Sequence, residues 1–385
     1  MEFAFTEEQQ MIRETAAQFL ADTCDSAAVR RAMATDTGFE PELWQRIAGE
    51  MYWTAIHIPE AYGGLGLGYV ELVAVMEQMG RYLLCAPYFS SVCLGANALL
   101  MAGSEEQKAG YLPRIADGSL RATLAWCDAS GRWDADGVSV TAVRHGDEYV
   151  LDGSYRYVVD GHTAELLIVA ARTPGSRGGD GVSLFLMPTG CAGVTRSWLP
   201  TMDQTRKLAA IRLENVRLPA SALLGAEGAA GEALAKTLAL ATVALAAEQA
   251  GGAQQILDIA VAYTKERQQF GRAIASFQAI KHKAADMMLK AEAAKSAVYY
   301  AACVAQEALT GGAQGAELAA AASLAKAYCS ETYFFNAGTA LQMHGGVGFT
   351  WEYDVHLYFK RARASESFLG DAPEHRERIA VELGL

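Results

Sequence analysis

Two polar, glycine-pinned stretches hold the residues best suited to chemistry. One is Arg267-Gln268-Gln269-Phe270-Gly271. The other runs from Gln342 through Met343, His344, Gly345, Gly346, Val347 and Gly348 to Phe349, Thr350, Trp351, Glu352 and Tyr353. Each adjoins a long helical pattern. Glycine lets a backbone approach a ligand with no Cβ in the way, and a guanidinium is a planar fork matched to a pyrophosphate. A third feature is Glu248, which ends the apolar run Leu245-Ala246-Ala247. A carboxylate buried in such surroundings has a raised pKa and is a candidate proton acceptor; the plainer expectation is a helix-packing carboxylate with a hydrogen-bond partner.

Other chemistries find less support. The glycine-rich segment Ile58–Gly68 lacks the Gly-Lys-Ser/Thr ending of a phosphate loop and reads as a tight turn between helices. His344 and His356 have no third ligand at a matching spacing, so no metal site is predicted. No nucleophile elbow supports Ser-His-Asp hydrolysis. The seven cysteines are odd in number and widely spaced, without C-x-x-C, as expected of reduced thiols in a cytoplasmic protein. Cys127 among them reads as buried and inert.

Three regions differ in period and must position these residues. Residues 1–120 read as helical, with apolar stripes at Met11, Thr15, Phe19 and Leu20 and again over Glu71–Met79. Thr6 and Gln9 form a capping-box pattern. The acidic N-terminal stretch from Met1 has no basic region or cleavage pattern of a signal peptide. Residues 121–225 change to short β-branched runs at Val138–Val143, Tyr149–Leu151, Leu166–Ala170 and Val182–Met187, separated by Asp/Gly turns, which predicts a small antiparallel β domain. Pro174–Gly181 reads as an exposed, mobile loop. Residues 226–385 turn helical again, with long segments at Glu232–Tyr263, Gln278–Leu309 and Ala316–Met343 and a glycine-rich break at Thr310–Gly315. Helices, then strands, then helices indicate an α+β chain with segregated domains.

The chain has 385 residues and a net charge of −12. That length suggests two or three domains. The acidic balance argues against nucleic-acid or anionic-membrane partners. The longest apolar run, Thr237–Ala247, is too short to span a bilayer, which needs about 20 residues.

Arg267, Gln269, Phe270 and Gly271, followed by Phe277-Gln278-Ala279-Ile280 and Ala285-Asp286-Met287, resemble the R-x-x-F-G … F-Q … A-D-M run of the acyl-CoA dehydrogenase family. Gln342–Phe349 resembles its Q-x-x-G-G-x-G-F, and Ile58-Pro59-Glu60-Ala61-Tyr62-Gly63-Gly64 its N-terminal loop. The resemblance spans the chain. It implies a helical domain, a β domain and a helical bundle, with FAD as cofactor. It also implies that Arg267, Gln269, Phe270, Gln278, Gln342, Gly345 and Gly346 touch the ADP part of the flavin across a subunit interface, and that Trp126 and Val159 lie in the segments lining its ring. The implied reaction is α,β-dehydrogenation of an acyl thioester, on CoA or a carrier protein, with an electron-transfer flavoprotein as acceptor and a tetrameric assembly.

Several positions depart from that pattern. The glutamate that usually serves as base is Leu369 here, and the alternative position on an earlier helix is Ala241, followed by Thr242. The T-E-P-x-x-G-S-D stretch appears as Ala125–Gly131, and the W-[IV]-T-N segment as Tyr157–Gly161, where Val159 lacks the expected hydroxyl. Three explanations stay open. Glu248 or Asp371 is a substitute base. Alternatively the chain is one half of an α2β2 heterotetramer whose partner brings the base, as Thr350–Tyr358 suggests by its likeness to actinobacterial relatives. Or the fold serves flavin monooxygenation, distinguishable by the O2 reactivity of the reduced flavin. Glu352 and Asp354 read as structural.

Overall fold

The computed structural model describes residues 5–385; Met1–Ala4, where the acidic N-terminal stretch begins, lie outside the described residues. The chain first forms α1 (Glu7–Thr23), α2 (Ser26–Ala34), α3 (Pro41–Gly49), α4 (Tyr69–Arg81), α5 (Asn97–Ala102) and α6 (Glu105–Ala116). The capping box at α1 is present: the Gln9 N–H donates to Thr6 Oγ1 at 3.2 Å, and the Thr6 N–H donates to Gln9 Oε1 at 3.0 Å. The buried face of α1 is Ala16, Phe19 and Leu20. Met11 is 62% exposed and Thr15 is exposed too, so the stripe expected from Met11 onward begins later. Residues 16, 19 and 20 share a face at helical spacing, and position 15 lies about a quarter-turn away.

A sheet follows, made of β1 (Ala122–Ala125), β2 (Thr141–His145), β3 (Glu148–Val159), β4 (Leu166–Arg172), β5 (Val182–Pro188), β6 (Val194–Leu199), β7 (Leu208–Pro219) and β8 (Leu223–Leu224). Its order is β6-β7-β3-β2-β4-β5-β8, with β1 beside β4. The antiparallel expectation needs one amendment, because β1 and β2 both meet β4 in parallel. β6 and β7 were not legible as strands. β6 has no fully buried residue, and β7 interrupts its apolar positions with Arg212, Glu214 and Arg217. The Pro174–Gly181 loop is mostly exposed, yet Arg172 ties it down through the Gly178 carbonyl at 3.0 Å and Ser176 Oγ at 3.2 Å.

The C-terminal part consists of α7 (Gly231–Glu266), a small hairpin of β9 (Gln268–Gln269) and β10 (Arg272–Ala273), then α8 (Gln278–Thr310), α9 (Leu318–His344), α10 (Val355–Ser367) and α11 (Ala372–Glu382). Gly311, at φ +77°, ends α8 in the glycine-rich break read from the sequence. α9 packs against α8, α10 and α11.

The chain gathers into two compact units. One contains the described residues up to Arg31 together with Gly68–Leu84 and Thr242–Leu385; the other contains Ala32–Leu67 and Cys85–Ala241. In the first, α4 and α7 touch backbone to backbone. A Cβ on Gly80 would stand 1.9 Å from the Glu248 carbonyl oxygen, and one on Gly251 would stand 1.8 Å from that of Glu77. In the second, the sheet core is built from Tyr149, Leu151, Tyr155, Val169, Phe185 and Ile211 with their neighbours.

Candidate functional site

The end of α7 and the hairpin after it carry the first motif. The Arg267 N–H closes the last turn on the Tyr263 carbonyl at 2.8 Å, and the Arg267 carbonyl accepts the Ile274 N–H at 2.8 Å. Between them Gln269 pairs with Arg272, so Phe270 and Gly271 form a two-residue turn, at φ +52° and +78°. Phenylalanine in the left-handed region costs about 1–2 kcal/mol. Phe270 adopts it while 91% exposed, held edge-on to Phe277 with ring centroids 6.0 Å apart. An exposed aromatic fixed in a strained backbone is a surface prepared for a contact. Arg267, Gln269 and Gln278 are exposed as well, and the Arg267 guanidinium pairs with no described residue.

The second motif ends α9. Gln342, Gly345 and Gly346 are exposed. A Cβ on Gly345 or Gly346 would meet nothing within 4 Å, which leaves a bare backbone platform. An unpaired guanidinium, an exposed ring and a bare glycine pair fit the phosphates and the flat base of a dinucleotide. All seven residues of this set lie on the chain's surface, and none is enclosed by the chain itself.

The carboxylates tell a different story. Glu248 is 4% exposed, as its apolar sequence neighbours predict, but it is not isolated: Arg361 of α10 donates from Nη1 to its Oε1 at 2.7 Å. The side chains are 5% and 3% exposed. The substitute base expected in apolar surroundings is therefore half of a buried ion pair. Nothing near Glu248 in the sequence signals its remote partner. Asp371 is the N-cap of α11. Its Oδ1 accepts the Glu374 N–H at 3.0 Å, and Glu374 Oε2 accepts the Asp371 N–H at 3.2 Å. Leu369 is 2% exposed with φ +63°, and Ala241 is fully buried.

Sequence reasoning missed the clamp around Leu369. Lys326 of α9 is fully buried and donates to Ser330 Oγ at 2.8 Å, the Gly370 carbonyl at 2.9 Å and the Glu366 carbonyl at 3.0 Å. Burial lowers its pKa to about 7. His375 bridges the Leu369 carbonyl at 3.0 Å and Ser323 Oγ at 3.1 Å, and burial lowers its pKa to about 3. The turn that positions residue 369 is thus gripped from α9 and α11. Ser323, Lys326 and Ser330 stand at helical spacing on α9, and that polar stripe in the alanine-rich first half of the helix was the available signal.

In the β unit Trp126 and Val159 are interior, 2% and 1% exposed. Trp126 donates from Nε1 to the Trp133 carbonyl at 3.3 Å, and the Val159 carbonyl accepts from Thr123 Oγ1 at 2.7 Å. The half-buried rings beside them are Trp133, 5.8 Å from Trp126, and Tyr157, 6.1 Å from Trp133 and at φ +61°. Trp133 lies in a loop that no motif singled out. Cys127 is buried, its thiol pushed up to about 12 by desolvation and then by the Asp128 charge, so it is unreactive near neutrality. No helix of the described residues is long and apolar enough to cross a membrane, and no group of three or more His, Cys, Asp or Glu side chains among them could hold a metal.

The fold and the paired glycine motifs define a flavoprotein of the acyl-CoA dehydrogenase type. Residues 6–119 match the acyl-CoA dehydrogenase N-terminal domain and residues 229–384 its C-terminal domain. The acyl-CoA dehydrogenase IpdE2 of Mycolicibacterium smegmatis is 32% identical over 98% of this chain and 99% of that protein. Butyryl-CoA dehydrogenase from Megasphaera elsdenii superimposes with a TM-score of 0.91 at 28% identity, covering 100% of both chains. A chain of the ChsE4-ChsE5 complex from Mycobacterium tuberculosis does so at 0.88 and 27%, covering 100% of this chain and 99% of that one. The chain belongs to the acyl-CoA dehydrogenase family. With the family come FAD as cofactor and oxidoreduction at a CH–CH bond as the reaction class.

Proposed function

We propose that this chain is the flavin-contacting half of a two-chain acyl-thioester dehydrogenase, whose partner subunit supplies the base. One observation carries this reading: the four positions considered for a base are either apolar or held by another contact. Leu369 and Ala241 are apolar and buried, Glu248 is paired with Arg361, and Asp371 caps α11. A relative of the same fold whose structure is that of a ChsE4-ChsE5 complex supports a two-chain assembly. The order of elements supports the division at residues 1–120, 121–225 and 226–385, with helices through Ala116, strands from Ala122 to Leu224 and helices from Gly231.

In this assembly Arg267 would neutralise the pyrophosphate of FAD, Phe270 and the Gly345-Gly346 backbone would hold its adenosine part, and Gln269, Gln278 and Gln342 would offer amide hydrogen bonds. Bound FAD supplies the acceptor for the hydride that leaves the thioester. The substrate class is an acyl-CoA or carrier-protein thioester, and the onward acceptor is an electron-transfer flavoprotein. A proton must leave the carbon beside the thioester carbonyl, which needs a positioned carboxylate; here the partner places it.

The test is the visible spectrum of the protein purified alone, with FAD counted per chain and the assembly mass measured. Sub-stoichiometric FAD that rises to a full complement on co-expression with a partner dehydrogenase subunit supports the proposal. About one FAD per chain, bleached by an acyl-CoA and no longer bleached after Glu248→Gln or Asp371→Asn, would overturn it.

A further inference from the structure

Tyr263 and His344 join the two halves of the dinucleotide cradle, and neither belongs to the contact set described above. Tyr263 lies in the last turn of α7, where its carbonyl receives the Arg267 N–H at 2.8 Å. His344 is the final residue of α9, directly before Gly345. Their rings stack with centroids 4.1 Å apart and planes 20° from parallel. The Tyr263 hydroxyl donates to the His344 carbonyl at 3.4 Å. Tyr353 closes the cluster edge-on, 5.8 Å from Tyr263 and 6.0 Å from His344.

The imidazole is fixed on its other side as well. His344 is 5% exposed, and its Nδ1 lies 2.8 Å from the Ala340 carbonyl, which can only accept, so Nδ1 carries the proton. Burial lowers the His344 pKa, so the ring is neutral near pH 7 and Nε2 is a lone-pair acceptor. That atom is buried without a described partner. The ring is therefore held in one orientation, and the tyrosine sets its position relative to the end of α7.

We propose that Tyr263, His344 and Tyr353 are positioning residues for FAD. Their stack fixes the spacing between the Arg267–Phe270 corner and the Gly345-Gly346 platform, so that both meet one dinucleotide. The claim rests on the reading that these two segments hold the ADP part of FAD. A stacked aromatic pair contributes about 0.5–1.5 kcal/mol beyond its buried area. Lost preorganisation of that size weakens binding up to roughly tenfold.

The experiment is an FAD titration of the flavin-stripped full-length assembly, alongside its thermal midpoint without flavin. Tyr263→Leu should weaken FAD by roughly tenfold, and Tyr263→Phe, which keeps the ring, should stay within about threefold. Arg267→Ala should weaken FAD in the parent, and much less in the Tyr263→Leu background, because the guanidinium is no longer aimed. A purely structural tyrosine would lower the thermal midpoint but leave the two effects additive, and additivity overturns the proposal. His344→Leu perturbs the same stack from α9 and is expected to behave as Tyr263→Leu does, so the test survives a misfolded tyrosine variant. Unchanged FAD affinity in Arg267→Ala would instead remove the cradle itself.

Discussion

Replacing Glu248 by glutamine deletes one charge of an ion pair that has almost no contact with solvent. The Arg361 side chain is 3% exposed and that of Glu248 is 5%. Their 2.7 Å contact joins α7 to α10. Removing one member of such a pair takes a charged partner from the other inside a low-dielectric interior, a change that costs about 3–5 kcal/mol. Glutamine keeps the shape of the carboxylate, so almost all of that cost is electrostatic and little is packing. The assay is urea unfolding at fixed flavin content, reading the midpoint and slope together. Glu248→Gln should lower stability by about 3–5 kcal/mol, and Glu248→Leu with Arg361→Met should lose far less, since an apolar replacement of a buried pair is often neutral. If Glu248→Gln stays within about 0.5 kcal/mol of the parent while substrate bleaching disappears, the carboxylate is working on substrate, and the structural argument is wrong.

Asp371→Ala removes the capping acceptor of α11 and should cost about 1 kcal/mol in a melting or denaturant experiment, with flavin content unchanged. Gly80→Ala would drive a Cβ to 1.9 Å from the Glu248 carbonyl oxygen, so α4 and α7 must separate; a clear loss of stability is expected, and a neutral result would contradict the close approach. Acid should weaken the fold from about pH 6.5 downward. His375 and His57 are neutral when folded, with pKa values lowered by burial to about 3 and about 4 from 6.5. The unfolded chain binds protons first, so their stabilisation is complete above 6.5 and lost as pH falls toward 3–4, at most on the order of 8 kcal/mol for the two together. Unfolding free energies measured between pH 7.5 and 4 should show this slope, and His375→Gln should flatten it.

Much of the architecture is local in origin and so was legible. The Thr6–Gln9 capping box, the three long helices over Glu232–Tyr263, Gln278–Leu309 and Ala316–Met343, and the glycine stop near Gly311 all arise from neighbours within a few turns. The glycine-pinned motifs were equally readable, because the missing Cβ of glycine and the guanidinium of arginine are properties of single residues. Strand β6 was hidden because none of its residues is buried, whereas β7 does alternate, burying Ala209, Ile211 and Leu213 and then Val216 and Leu218, with the period shifted at Glu214-Asn215. What only the tertiary structure decided is which charges and rings meet. That Glu248 has a hydrogen-bond partner was the plainer expectation, but that the partner is Arg361, 113 positions away on α10, is decided by the fold. Lys326 gains its role only when the turn at Glu366–Gly370 folds onto it and offers two carbonyls. Tyr263 and His344 are far apart in the chain, and their stack exists only because α7 and α9 end side by side. The sequence determined the helices, the turns and the two glycine motifs, since those are short-range; the fold determined that the motifs lie together and exposed and which carboxylates were already spoken for, since burial and partnership are properties of the folded chain.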